Sequence, residues 1–85
     1  MKIQLRFFAG LREALGTGSE LIELPPQVRT VGEVHEHLLA RGGVWAETLA
    51  QKKSLRMAYD QEITDPATQI AEGGEVAFFP PVTGG

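Results

Sequence analysis

From Lys2 to Phe8 the chain alternates: Ile3, Leu5 and Phe7 fall on one side of an extended backbone, and Lys2, Gln4, Arg6 and Phe8 on the other. This predicts a strand over 2–8 with its odd positions toward the core. Phe8 breaks the polar alternation of the opposite face. Ala9 to Leu15 predicts a short helical turn closed by Gly16, and Gly16-Thr17-Gly18-Ser19 is a turn cluster. It is not a phosphate loop, because no Gly-Lys-Ser/Thr follows. Glu20 to Leu24 predicts a second strand with Ile22 and Leu24 inward, ended by Pro25-Pro26. Thr30-Val31-Gly32-Glu33 fits a capping box, and Val31, Val34, Leu38 and Leu39 follow at helical spacing, with Gly42 as the left-handed C-terminal residue. Trp45 to Lys53 predicts a shorter helix with Trp45 and Leu49 on one face. Leu55, Met57 and Tyr59 alternate as a third main strand. Asp60-Gln61-Glu62 turns the chain into a brief strand at Ile63-Thr64, and Asp65-Pro66 opens a loop. Gly73-Gly74 turns into the last strand, Glu75 to Phe79. There Val76 and Phe78 share one face while Ala77 and Phe79 share the other.

The predicted order is strand, strand, helix, strand, short strand, strand, with no repeat and no internal linker. One main helix over a mixed sheet is the economical packing for so few elements. The expected fold class is therefore α+β, in the ubiquitin-like β-grasp arrangement. Residues 1–79 form the domain, and residues 80–85, which lack any apolar period, form an extended, flexible tail. In such a sheet the first and last strands are neighbours, so Phe8 and Phe79 meet on the open face beside the tail. An exposed aromatic patch there marks a protein interface, with Arg12 at its rim. The competing reading packs each ring against a loop.

Eighty-five residues with 42% apolar content allow one small core; a chain this short buries only about 60–65% of its unfolded surface. There are no cysteines, which excludes disulfides, thiolate metal sites and a cysteine nucleophile. Eleven acidic against eight basic residues give a net charge of −3, which disfavours nucleic acid and leaves room for a basic partner surface. No signal-peptide or bilayer-spanning run is present in the sequence, so a soluble, cytoplasmic protein with no membrane association is the expectation.

Side-chain chemistry is sparse. His35 and His37 point apart on the helix and cannot share a metal; both read as surface or boundary residues, and no metal site is expected. None of the carboxylates pairs with a histidine at a nucleophile-and-base spacing. Lys52-Lys53 with Arg56 is too short a run for a nucleic-acid patch. The closing Pro80-Pro81-Val82-Thr83-Gly84-Gly85 is more informative. A terminal Gly-Gly presents its carboxylate on two residues without side chains, able to enter a narrow slot and adopt whatever backbone angles the slot imposes. The main-chain carboxylate of Gly85 then becomes the candidate reactive group.

Residues 74–85, Gly-Glu-Val-Ala-Phe-Phe-Pro-Pro-Val-Thr-Gly-Gly, resemble the C-terminus of the small subunit of molybdopterin synthase, a β-grasp sulfur carrier family. The opening Leu5-Arg6-Phe7-Phe8-Ala9-Gly10-Leu11-Arg12-Glu13 resembles that family's first strand and the Arg-Glu after it. The resemblance implies that the Gly85 carboxylate is adenylated by a ubiquitin-activating-like enzyme using ATP. A sulfur donor protein then displaces AMP and leaves a thiocarboxylate. The tail inserts into the large synthase subunit, in a heterotetramer, and its sulfur builds the dithiolene of molybdopterin. No permanently bound cofactor is implied, only a transient C-terminal AMP adduct. Phe8, Ile63 and Phe79 would lie in the hydrophobic contact with both partners and Arg12 nearby. Pro80, Pro81, Val82 and Thr83 would lead Gly84 and Gly85 into the partner site. The catalytic groups would belong to the large subunit, so this chain is not expected to be catalytic alone.

The physical logic agrees. A carboxylate is a poor electrophile, and AMP supplies a leaving group. A thiocarboxylate is a soft sulfur nucleophile that needs no cysteine. Six extended residues reach about 20 Å, and Pro80-Pro81 stiffens the root of the tail. Three alternatives stay open. One is a carrier for thiamine thiazole synthesis, against which the Phe-Phe-Pro-Pro run argues. The others are a ubiquitin-like modifier joined to lysines through Gly85, and a plain interaction domain with an idle tail.

Overall fold

The computed structural model describes residues 1–50 and 55–80. In chain order the elements are β1 (Lys2–Phe7), α1 (Gly10–Leu15), β2 (Ser19–Glu23), α2 (Val31–Leu39), α3 (Gly43–Leu49), β3 (Arg56–Tyr59), β4 (Glu62–Thr64) and β5 (Glu75–Phe79). The strands form one sheet in the order β2-β1-β5-β3-β4. β5 is central: it runs parallel to β1, with Phe7 opposite Phe78, and antiparallel to β3, with Met57 opposite Phe78. A mixed sheet with its helices on one face is the α+β, β-grasp arrangement expected from the alternation.

Alternation places the core. Ile3, Leu5, Phe7, Ile22, Met57, Val76 and Phe78 cover one sheet face and meet Val31, Val34 and Leu38 of α2. Phe7 stacks on Phe78 at 5.9 Å between centroids and takes the edge of Trp45 at 5.5 Å. The capping box forms as expected. Thr30 Oγ1 accepts from the Glu33 amide at 3.1 Å, and Glu33 Oε1 accepts from the Thr30 amide at 3.1 Å. Two more first-turn amides donate to the 65–70 loop, Val31 to the Thr68 carbonyl and Gly32 to that of Pro66, so the helix start is closed by protein.

Two expectations change. Gly42 does not end α2 in the left-handed conformation. The helix stops at Leu39 with Ala40 right-handed, its last turn tightening through bonds from Arg41 to Leu38 and from Gly42 to Leu39. Gly42, at φ 72 and ψ −170, instead starts α3. Positive φ was the correct demand; the short connection to a second helix gives it another task. His35 is not a surface or boundary residue but 3% exposed. It lies one turn from Val31 and shares the inward face with Val34 and Leu38. Its Nε2 lies 2.6 Å from the Leu49 carbonyl. A carbonyl only accepts, so that nitrogen carries the proton and ties α2 to the end of α3. The part of the second helix expected over 51–53 lies outside the described residues.

Arg41 fastens the β2 edge. Its guanidinium donates to both Glu20 oxygens, at 2.9 and 2.5 Å, and lies 4.4 Å from the Trp45 ring centroid. The hydrogen bonds from Arg41, with its positive charge, hold the Glu20 carboxyl below its ordinary value against an opposing effect of burial. At the other edge, β3 and β4 join through Asp60 and Gln61, at φ 47 and 72. This is the primed hairpin turn that suits strand twist. Asp60 Oδ1 accepts from the Glu75 amide at 2.9 Å and anchors the start of β5. No helix among the described residues is long and apolar enough to cross a membrane.

Candidate docking surface at the root of the tail

The sheet face turned away from the helices is built from the remaining strand positions. Ladder register sets Arg6 beside Ala77, Ala77 beside Ala58, and Ala58 beside Ile63. One step further along, Phe79 lies opposite Arg56. The two alanines are short, so the middle of this face is low between the flanking Arg6 and Ile63. Ile63 is 66% exposed, a large apolar side chain with no cover. Of the three apolar positions singled out in the sequence, the structure brings Phe8 and Phe79 into contact and sets Ile63 on the same face two strands from Phe79.

Phe8 and Phe79 form a parallel stack, 4.7 Å between centroids and 4° between planes. Each ring is half-buried. Phe8 lies just past the last residue of β1, and its amide donates to the Phe78 carbonyl at 3.2 Å, which continues the ladder far enough to align the rings. The chain then leaves the sheet abruptly. Ala9 takes φ 51 and ψ −129, and the Leu11 amide closes the turn on the Phe8 carbonyl at 3.1 Å. A residue with a Cβ is strained there. The turn starts α1 directly beside the aromatic pair and puts exposed Arg12 within that helix. The stem of Arg12 lies across Gly18; a Cβ at position 18 would come within 2.9 Å of the Arg12 Cδ. α1 ends at Gly16 in the left-handed conformation, its amide bonded to the Arg12 carbonyl.

Pro80 follows Phe79 and is half-buried. Pro81, Val82, Thr83, Gly84 and Gly85 lie outside the described residues. Sequence reasoning missed Arg6, Arg56, Ala58 and Ala77 as parts of this face. The signal was present in strand parity, since Arg6 shares Phe8's side of β1 and Ala77 shares Phe79's side of β5.

Around the aromatic pair the described side chains of this face are apolar or cationic: Ala58, Ile63, Ala77, Arg6 and Arg56. Among the described residues no three His, Cys, Asp or Glu side chains come close enough to hold a metal ion. A cleft of about 430 Å³ lies elsewhere, between α2 and the loop after β4. Thr30, Gly32, Glu36, Met57, Pro66 and Ala67 line it. Of its other polar groups, Glu33 is occupied by the helix cap and His35 by the Leu49 carbonyl.

The molybdopterin synthase sulfur carrier subunit of Haemophilus influenzae is 39% identical over 83 residues, covering 98% of this chain and 99% of that protein. The small archaeal modifier protein 1 of H. volcanii superposes with a TM-score of 0.74 at 21% identity, over 95% of this chain and 98% of that one. A chain from the protein–protein complex of subunits 1 and 2 of molybdopterin-converting factor from Helicobacter pylori superposes with a TM-score of 0.69 at 20% identity, over the whole of both chains. These two solved structures share the fold. The ThiS family model matches residues 5–85, from the first strand through the closing glycines, and the chain belongs to the ThiS family.

Proposed function

We propose that this chain is the sulfur carrier subunit of molybdopterin synthase, working as a reactant held by its partners. The observation that carries the reading is the stacked Phe8–Phe79 pair, half-exposed at the point where β5 gives way to Pro80. It joins a ready docking surface to the root of the segment that bears Gly85. The relative from H. influenzae carries this function in its name, at an identity that spans the whole length.

The chemistry runs in two stages. The Gly85 carboxylate attacks the α-phosphorus of ATP on an adenylating enzyme, and pyrophosphate leaves. Sulfide, released from a sulfur donor protein by a thiol reductant, then attacks the acyl carbon; AMP leaves with the bonding pair, the proton goes to water, and a thiocarboxylate remains. The loaded tail enters the large subunit, where its sulfur displaces an oxygen substituent of the pterin precursor; water then hydrolyses the acyl–sulfur bond, which leaves the sulfur on the pterin and returns the Gly85 carboxylate. Phe8, Phe79 and Ile63 seat the domain on each partner in turn. Arg12 borders the contact, and Pro80 and Pro81 direct Val82, Thr83, Gly84 and Gly85 inward. The groups that catalyse transfer belong to the partners, and the site of action is the cytoplasm.

The test is mass spectrometry of the intact protein after incubation with the adenylating enzyme, ATP and a sulfur donor. Replacement of one carboxylate oxygen by sulfur must appear at Gly85, and the loaded protein must restore dithiolene synthesis in an extract lacking the carrier. Deletion of Gly85 must abolish both. A truncated protein that still loads sulfur would overturn the assignment, and isopeptide conjugates in place of the thiocarboxylate would favour a protein modifier.

A further inference from the structure

Arg6 and Arg56 flank the aromatic pair, and Arg12 follows it in α1. The Arg6 guanidinium carbon lies 5.8 Å from the Phe8 ring centroid. Arg56 stands directly across the β3–β5 ladder from Phe79. Arg12 lies in α1, immediately past the Ala9 turn, its stem held across Gly18. Neither Arg12 nor Arg56 makes an ion pair among the described residues. Arg6 meets Glu75 at 3.7 Å, but its side chain is 46% exposed and water screens that pair.

At the opposite end of the same face carboxylates outnumber cations: Glu23, Glu72, Asp60 and Glu75 stand with Lys2 and the Met1 ammonium, which meets Glu23 at 3.3 Å. Lys2 lies across from Glu23, its amide donates to the Glu72 carboxylate, and Asp60 and Glu75 stand where β5 begins. The face is therefore polarised along the strand direction, cationic where the tail departs and acidic where β5 starts. This runs against the chain's net charge of −3, which taken alone points to a basic partner. Arginine also suits a rim of this kind, because its planar fork pairs with carboxylates while its stem lies on apolar surface.

We infer that Arg6, Arg12 and Arg56 form a steering rim, and that the partner surface receiving Phe8 and Phe79 is an apolar socket bordered by carboxylates. This rests on the docking reading above, with the large synthase subunit as the occupant. Charges at a rim act mainly on the rate of encounter, by orienting the approach, and little on the lifetime of the complex. Here the orientation matters twice over, since only an approach with the cationic end forward presents the tail.

The test is stopped-flow association of the full chain with the large subunit across a salt series. Arg12→Gln/Arg56→Gln is expected to slow association about 5–10-fold near 25 mM salt, with dissociation changed less than about twofold. Wild type and variant should converge near about 0.5 M, where the screening length is only a few ångströms. Lys2→Gln removes the same charge as Arg56→Gln from a point about 20 Å away along the strand direction. It should leave the rate within about twofold of wild type. Equal slowing by Lys2→Gln and Arg56→Gln would reduce the effect to net charge and overturn the rim. So would faster association on removing the arginines, or a wild-type rate indifferent to salt. Absence of wild-type binding at every salt concentration would instead overturn the docking reading.

Discussion

Phe78 and Phe79 are adjacent in sequence and identical in chemistry, and the sheet gives them opposite duties. Phe78 is 0% exposed, stacked on Phe7 and 6.0 Å from the His35 ring. Truncation there removes a whole ring from a close-packed core, and Phe78→Ala should cost about 3–5 kcal/mol. A domain of this length holds only about 4–13 kcal/mol in total, so the variant will be marginal at room temperature. Phe79 is half-buried, and its principal aromatic contact is the parallel Phe8 ring. Phe79→Ala loses that stack, worth about 0.5–1.5 kcal/mol, and lowers the thermal midpoint by about 4–8 °C for each kcal/mol lost. The order reverses in binding. Phe79→Ala should weaken the complex with the large synthase subunit by about 1–3 kcal/mol, the usual scale for an aromatic anchor. Urea unfolding gives the first comparison and titration calorimetry with the large subunit gives the second. If Phe79→Ala unfolds the domain as readily as Phe78→Ala while binding is unchanged, the assignment of the two faces is wrong.

Gly84→Val should block adenylation or transfer and leave the unfolding midpoint unchanged, because a β-branched residue stiffens and widens the tail; parallel activation assays and thermal melts check this. Ala9→Gly should stabilise the domain by about 1 kcal/mol, since relief of a strained φ outweighs the added freedom of the unfolded chain; a lowered midpoint would refute the strain. His35→Ala should cost about 2–4 kcal/mol through the emptied site and the unpaired Leu49 carbonyl, with sulfur loading of the remaining folded protein unaltered in a mass-spectrometric assay. The Glu20 carboxyl is held below its ordinary value of 4.5, so its pair with Arg41 stabilises the fold fully above that pH. The contribution fades as pH falls below 4.5 and through the lowered folded value. Glu20→Gln should therefore flatten the acid side of the stability–pH curve, and an unchanged slope would show the pair to be inert.

Local pattern was enough to place β1, β2, β5 and the capped start of α2, because alternation and capping are written in adjacent residues. The stack of Phe8 on Phe79 was also within reach, since parity fixes the face and the fold class fixes the neighbours. Other features depended on partners distant in sequence. His35 is polar, and only the carbonyl of Leu49 makes its burial tolerable. Gly42 advertised a positive φ without saying which of two helices would use it. The bidentate grip of Arg41 on Glu20 spans the sheet edge and a helix connection, and no periodicity announces it. The arginine rim was hidden for a different reason. Total charge averages over the molecule, whereas docking depends on which ends of which strands the charges occupy.

The parallel pairing of β5 with β1 has a mechanical meaning. A pull applied at Phe79 along the axis of β5 acts on a strand with ladders on both sides. Force applied that way loads the hydrogen bonds between strands together, in shear, and none can open alone as in a zipper. A carrier that works as proposed above, with its end inserted into and withdrawn from its partners, would be tethered through the part of its sheet best able to bear tension.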